Sequence, residues 1–257
     1  MLRIRIIVIF SFLLSMNNIY AQNEEQKSIT INMLAGDSIP PYTLPGIDSG
    51  AEVDIIRAIF KTKNINVTFT FVPLKRVSSD VDLLKADGST RMVQNEKNVK
   101  GFYTRPYITY QGCVLTLQSV LDYKNISVLE NKSIIAFQGA SERFGEEFKK
   151  MTELNHEYHE MNNQLKQVTL LLSKKTDAIV SDLLITRYFI KQNEQNLNSF
   201  KITDREIKCN ILLHNSPFPA FFKEQHTVDQ FNDGLTEIKK NGVYDKILKQ
   251  YNVKPGE

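Results

Sequence analysis

The sequence predicts an α/β protein of two lobes, in which the second lobe is inserted into the first and joined to it by two crossings. Strands alternate with helices in two separate series along the chain. This alternation is typical of domains with a largely parallel sheet. Two extended apolar stretches without a helical period, Tyr103–Leu117 and Lys208–Leu213, flank the second series. We therefore expect the chain to pass between the lobes at these two stretches.

The first series starts near residue 29. Its helix is indicated by Val53, Ile56, Ile59 and Phe60, which fall on one face at spacings of three and four. β-branched and aromatic residues alternate in the strand that follows. The predicted elements are the strand Ile29–Ala35, the loop Gly36–Gly50, the helix Glu52–Lys63, the strand Asn66–Val72 and a short helix through Val77, Val81 and Leu84.

The second series lies between the two crossings, and two further helices end the chain. Thr227 and Gln230 match a capping box, which predicts a helix start at Thr227. Gly242 stands where a left-handed residue ends a helix. The predicted elements are the strand Ser133–Phe137, the helices Glu142–Met151 and Leu165–Leu172, the strand Asp177–Ser181, the helix Leu183–Gln192, and the terminal helices Thr227–Asn241 and Val243–Tyr251.

The composition is that of an ordinary globular protein and excludes several classes. Of the 257 residues, 42% are hydrophobic and 24% are charged. The formal net charge of +3 is too small for the basic surface that nucleic-acid binding requires, so no nucleic-acid partner is expected. Two cysteines outside any CxxC pair exclude a disulfide-rich scaffold and a zinc ribbon. His156 and His159 lack a cysteine partner, so we expect surface histidines and neither metal nor cofactor.

Met1–Ala21 is predicted to be an export signal that is removed by cleavage near Ala21. The basic residues Arg3 and Arg5 precede the nine-residue run Ile6–Leu14, which is apolar except for Ser11. Nine residues at a rise of about 1.5 Å each cannot cross a hydrocarbon core about 30 Å thick. The alternative is a buried N-terminal strand or helix. With a cleaved leader, the protein is expected in the periplasm.

Six short motifs, taken together, match the sequence pattern of a known protein family. The motifs are Pro40-Pro41-Tyr42, Gly50 with Asp54, Phe102–Tyr107, Ile134–Ser141, Thr176–Asp182 and Asn241–Tyr244. In this order and spacing, the chain resembles the periplasmic amino-acid-binding proteins of bacterial ABC importers, the extracellular solute-binding protein family 3. The resemblance runs from about Ile29 to Tyr251.

The resemblance implies a type II periplasmic-binding-protein-like fold with two hinge strands. We assign residues 28–112 and 211–257 to the first lobe and residues 113–210 to the second. The implied function is that of a monomeric, non-enzymatic receptor that closes around a small polar or zwitterionic solute, such as an amino acid. The expected partner is an ABC transporter permease. Two alternatives stay open: a periplasmic cyclohexadienyl-type dehydratase, and a ligand-sensing receptor for a membrane signalling protein.

The resemblance also implies site residues. The turn of Gly139, Ala140 and Ser141 would bind the ligand carboxylate, because free amides at a helix N-terminus suit an anion. Asp182 corresponds to the acid that takes the ligand ammonium, and Tyr42 to an aromatic residue that packs over the ligand. Each has a structural alternative: a helix N-cap for Ser141 and Asp182, and a surface turn residue for Tyr42.

One position departs from the family pattern. Where the family has Glu-Arg, this chain has Glu96-Lys97, and lysine offers a point charge instead of a planar two-pronged donor. Arg91, three residues past Gly88 in the same predicted cleft loop, could supply the missing fork, and Arg76 falls where relatives place a side chain in the ligand pocket. Gly88, Arg91, Lys97 and Arg76 are therefore candidate ligand-binding residues, with solvated surface charge as the alternative for the three cations.

Cys113 and Cys209 fall in the two crossing stretches. In an oxidising compartment they could form a disulfide, which needs Cα atoms roughly 4.4–6.8 Å apart. Two buried thiols in adjacent strands are the alternative. A bridge would restrict hinge motion, so reduction is expected to change ligand affinity.

Overall fold

The computed structural model describes residues 29–37, 39–73, 76–91, 100–117, 125–197 and 206–253. The predicted leader Met1–Ala21 and the candidate Lys97 lie outside these residues. In chain order the elements are β1 (Thr30–Gly36), α1 (Ala51–Lys61), β2 (Asn66–Val72), α2 (Arg76–Ser79), β3 (Gly88–Ser89), β4 (Phe102–Tyr103), β5 (Ile108–Leu117), β6 (Ile134–Phe137), α3 (Gly145–Leu154), β7 (Tyr158–Met161), α4 (Gln164–Leu172), β8 (Ala178–Asp182), α5 (Leu183–Gln192), α6 (Glu194–Leu197), β9 (Ile207–Phe218), β10 (Phe221–Phe222), α7 (Gln225–Lys240) and α8 (Val243–Gln250).

Two five-stranded sheets each form the centre of a lobe. The sheet of lobe 1 has the order β2-β1-β3-β10-β4, and the sheet of lobe 2 has the order β7-β6-β8-β5-β9. In lobe 1, β1 pairs in parallel with β2 and β3. In lobe 2, β6 pairs in parallel with β7 and β8. The predicted two-lobed α/β architecture is confirmed.

The strands β5 and β9 connect the lobes. They pair antiparallel from Ile108 opposite Phe218 to Leu117 opposite Ile207, with register shifts beside Gly112 and Val114. The ends near Ile108 and Phe218 lie toward lobe 1, and the rest joins the sheet of lobe 2. Cys113 and Cys209 form a disulfide between the two strands, with their Cα atoms 5.3 Å apart.

The core of lobe 1 is built on the amphipathic helix α1. Ile55, Ile56, Ile59 and Phe60 are fully buried and pack against α7 and α8. Burial of such side chains stabilises the fold by roughly 1.5–3 kcal/mol each relative to exposure. The same core includes Ile185 from α5 of lobe 2. The lobes therefore touch through apolar packing at the start of α5.

Two predicted helix starts were wrong. Helix α3 begins at Gly145 and not at Glu142, because residues 141–143 form turns and Gly145 has a left-handed φ of 84°. Helix α7 begins at Gln225 with Glu224 as its N-cap, so Thr227 lies inside the first turn and the capping box does not form there. Gly242 has the predicted left-handed conformation, with φ 78°.

Candidate functional site

A cleft of about 600 Å³ lies between the lobes. Lobe 1 and the hinge strands contribute one wall, and the loops after β6 and β7 together with the start of α5 contribute the other. Aromatic side chains alternate with amides and four charged residues along these walls. The lining residues are Asp37, Ile39, Pro73, Arg91, Tyr110, Gly112, Phe137, Gln138, Arg143, Phe144, Asn162, Asn163, Gln164, Asp182, Ile185, Ser216 and Phe218.

Asp182 lies at the centre of the contact between the lobes. One carboxylate oxygen accepts the amides of Leu184 and Ile185, so Asp182 is the N-cap of α5. The other accepts the amide of Gln111 at 2.9 Å and the hydroxyl of Tyr42 at 3.1 Å. A carboxylate has about four acceptor positions, so all of them are in use. Burial raises the pKa of Asp182, and these hydrogen bonds oppose the rise.

Tyr42 is a buried residue of lobe 1 and not a surface turn residue. It follows the cis peptide bond between Pro40 and Pro41, and only 1% of it is exposed. Its ring stacks on Tyr110 at a centroid distance of 3.8 Å. Burial, together with the neighbouring charge of Asp182, raises the pKa of Tyr42, so its hydroxyl stays protonated and donates across the lobes. Tyr42 does not line the cleft itself.

Arg91 lies in the cleft wall as half of a buried ion pair. Its guanidinium donates to Glu52 and to the hydroxyl of Tyr110, and Glu52 is fully buried. Tyr110 in turn donates to Glu52 at 2.8 Å. Burial alone would lower the pKa of Arg91, but Glu52 together with Tyr110 and Tyr107 outweighs this effect, and the pKa is raised. The Nε of Arg91 has no hydrogen-bond partner within the described part of the chain.

The turn of Gly139, Ala140 and Ser141 already binds an anion, which is the protein's own Glu160. The amides of Gly139 and Ser141 donate to the two oxygens of Glu160 at 2.6 and 2.8 Å. Ala140 is buried in the core of lobe 2, and none of the three lines the cleft. Contrary to expectation, this turn is not free to receive a ligand carboxylate, and Ser141 is not a helix N-cap.

Two further candidates lie away from the cleft. Arg76 pairs with Asp80 at 2.6 Å and its side chain is 53% exposed, so it behaves as a surface charge. Gly88 lies in the middle strand of the lobe 1 sheet, where an added Cβ would approach the carbonyl oxygen of Phe221 to 2.2 Å. Gly88 is therefore needed for close packing of backbones, and neither residue lines the cleft.

Arg143 lines the cleft and was missed in the sequence. Its guanidinium carbon lies 4.8 Å from the ring centre of Phe218. Burial among the cleft walls, helped by the positive charge of Arg91, lowers the pKa of Arg143 to about 10. Arg143 fell inside the predicted helix Glu142–Met151 and was therefore not considered as a ligand-binding residue. Its position two residues past the expected ligand turn could have indicated a place in the cleft.

The described residues include neither a candidate metal site nor a helix that could span a membrane. Within the described residues there is no group of three or more His, Cys, Asp or Glu side chains that could hold a metal ion. His159 lies on β7, and His156 lies in the turn before it. None of the described helices combines the length and the apolar character that a membrane span requires.

A profile of the bacterial extracellular solute-binding proteins, family 3, matches residues 31–254. The chain belongs to this family. A curated relative is the "probable histidine-binding protein" of Campylobacter jejuni, 22% identical over 240 residues that cover 90% of this chain and 88% of the relative. The family is one of solute-binding proteins that work outside the cytoplasm.

Solved structures share the type II periplasmic-binding-protein-like fold. An ancestral arginine-binding protein bound to arginine is 19% identical with a TM-score of 0.66, over 86% of this chain and 97% of that one. A histidine kinase sensor domain similar to periplasmic binding proteins is 15% identical with a TM-score of 0.69, over 89% and 99%. The ancestral precursor of cyclohexadienyl dehydratase is 16% identical with a TM-score of 0.62, over 86% and 94%.

Proposed function

We propose that this protein binds a small amino-acid-like solute in the cleft between its lobes and delivers it to the permease of an ABC importer. The observation that carries the proposal is the cleft itself. It has about 600 Å³, it is walled by both lobes, and the two lobes are joined by the paired strands β5 and β9. A cavity of this size fits a ligand of amino-acid dimensions.

The charges of the cleft support a zwitterionic ligand. Arg91 and Arg143 provide positive charge, and Asp37 and Asp182 provide negative charge, around aromatic walls. Charge-assisted hydrogen bonds to such groups are shorter and stronger than neutral ones. Because Asp182 already accepts four hydrogen bonds, binding of an ammonium group there would require the Tyr42 bond to be exchanged.

The comparisons support an amino acid as the solute class, since relatives are named for histidine and arginine binding. The predicted leader supports a periplasmic location after cleavage near Ala21. We further propose that the protein is a monomer. It is expected to have no nucleic-acid partner, because a net charge of +3 is too small for the basic surface that such binding requires.

The test is isothermal titration calorimetry against the twenty common amino acids, followed by small-angle scattering with and without the best binder. We expect binding of at least one amino acid and a more compact particle. Ser216→Trp, which fills the cleft, should abolish binding, whereas Ser127→Trp on the exposed short helix Ile126–Leu129 should not. No binding by the wild type, or equal binding by both variants, would contradict the proposal.

A further inference from the structure

The geometry points to a carboxylate seat between two arginines from opposite lobes, Arg91 and Arg143, placed on the ring of Phe218. This inference rests on the proposed function and specifies how the ligand's anionic group is recognised. It also identifies Arg143 as a residue that determines which solutes close the cleft.

The two guanidinium groups share one aromatic ring. The guanidinium carbon of Arg91 lies 4.7 Å from the centre of the Phe218 ring, and that of Arg143 lies 4.8 Å from it. The two carbons are therefore no farther apart than the sum of these distances. Cations hold such positions over a ring by attraction to its electron-rich face. Arg91 and Arg143 also line the same cleft. A carboxylate held there beside both guanidinium groups could accept from each of them, because each of its two oxygens is an acceptor.

The positive charges of Arg91 and Arg143 are only partly neutralised by acidic side chains. Glu52 offsets the charge of Arg91, but Arg143 forms no ion pair with any residue that the structure describes. The positive charge of Arg91 contributes to the lowered pKa of Arg143, so the two groups repel each other. Arg91 also keeps its buried Nε without a hydrogen-bond partner among the described residues. An anion would relieve the repulsion and satisfy this donor.

The turn of Gly139 and Ser141, where the ligand carboxylate was expected to bind, is already occupied by a side chain of the protein. Glu160 accepts the amides of Gly139 and Ser141 and the hydroxyl of Tyr158, so a ligand carboxylate would have to displace a tethered one. Such a tethered group is present at high effective concentration, which disfavours displacement. The ligand carboxylate is thereby directed to the arginine pair.

This placement links recognition to closure. Arg91 belongs to lobe 1 and Arg143 to lobe 2, so an anion between them stabilises the closed arrangement more than an open one. A ligand shifts a conformational equilibrium only by its difference in affinity for the two states. A solute with a carboxylate should therefore close the cleft, and the same solute without it should not.

The test pairs ligands that differ in the carboxylate alone: L-arginine with agmatine, and L-histidine with histamine. We expect Arg143→Gln to weaken calorimetric binding of the amino acid at least tenfold without weakening binding of the amine, whose positive charge the arginine repels. Arg143→Lys should restore part of the loss, and Arg187→Gln on the exposed side of α5 is the matched control. The proposed carboxylate site would be contradicted if Arg143→Gln lowered the affinity equally for both members of a pair, or lowered neither.

A second measurement decides the matter even if none of these solutes binds. Sodium acetate is titrated into protein labelled with ¹⁵N at arginine, with sodium chloride at the same ionic strength as the control. We expect acetate to shift the Nε–H signals of Arg91 and Arg143, assigned by Arg91→Lys and Arg143→Lys, and chloride not to. The absence of an acetate-specific shift would overturn the seat, whereas failure of all amino acids to bind would overturn only the proposed function.

Discussion

Replacing Glu52 by Gln should strongly destabilise the protein, because it leaves the charge of Arg91 buried without a counter-charge. The side chain of Glu52 is fully buried and that of Arg91 is 10% exposed. Removing one partner of a buried ion pair costs roughly 3–5 kcal/mol. For a chain of this size, each kcal/mol lowers the melting temperature by about 2–4 °C, so a loss on the order of 10 °C is expected.

The measurement is urea unfolding at pH 7, followed by circular dichroism. Asp48→Asn is the matched control in the same lobe, because Asp48 and Arg57 form an ion pair with side chains that are 60% and 32% exposed. Such a pair contributes about 0–1 kcal/mol. The double replacement Glu52→Leu with Arg91→Met should recover much of the loss, since it removes both charges. The reasoning would be refuted if Glu52→Gln lowered the free energy of unfolding no more than Asp48→Asn does.

Three other predictions concern single contacts. Tyr42→Phe removes one hydrogen bond between the lobes and should lower the free energy of unfolding in urea by about 1 kcal/mol; no change would show that the bond is not formed in solution. Burial raises the pKa of Glu160, but hydrogen bonds from the amides of the turn, together with those from the side chains of Ser141 and Tyr158, outweigh this and the pKa is lowered. The stabilisation by Glu160 is therefore complete above its ordinary pKa of about 4.3 and is lost as the pH falls through the lowered value. Glu160→Gln should accordingly be less stable than the wild type at pH 7, with the difference shrinking below about pH 4; a constant difference would contradict this. Gly88→Ala should cost roughly 1–3 kcal/mol through overpacking, whereas Gly46→Ala, with no atom within 4 Å of the added Cβ, should cost little; similar thermal unfolding of both variants would contradict it.

Much of the fold was predictable because its signals are local. The helix Leu183–Gln192 and the strand Asn66–Val72 have the predicted bounds, since periodicity and an N-cap at Asp182 fix them within a few residues. The start of α7 was misplaced because Thr227 and Gln230 fit a capping box, whereas the helix begins two residues before Thr227, at Gln225. The two-residue strand β10 has no sequence signal of its own, because its pairing depends on β3 and β4 far away in the chain.

The site was harder to predict because its residues are selected by long-range contacts. Nothing near Gly139 indicates that its amide will be taken by Glu160, which is 21 residues away on the short strand β7. Likewise, Arg91 finds its counter-charge in Glu52, 39 residues earlier, inside a helix whose first turn would be expected to face solvent. Asp182 is the N-cap that its alternative predicted, and its other oxygen bonds to Tyr42 of the opposite lobe, a contact that no local pattern indicates.

The disulfide between Cys113 and Cys209 has a consequence for how the chain can be cut. It converts residues 113–209 into a covalent ring, from which two tails continue into lobe 1. A protease that nicks the backbone once inside this ring therefore releases no fragment. The nicked molecule would migrate as one chain on a denaturing gel until a reductant separates its two pieces.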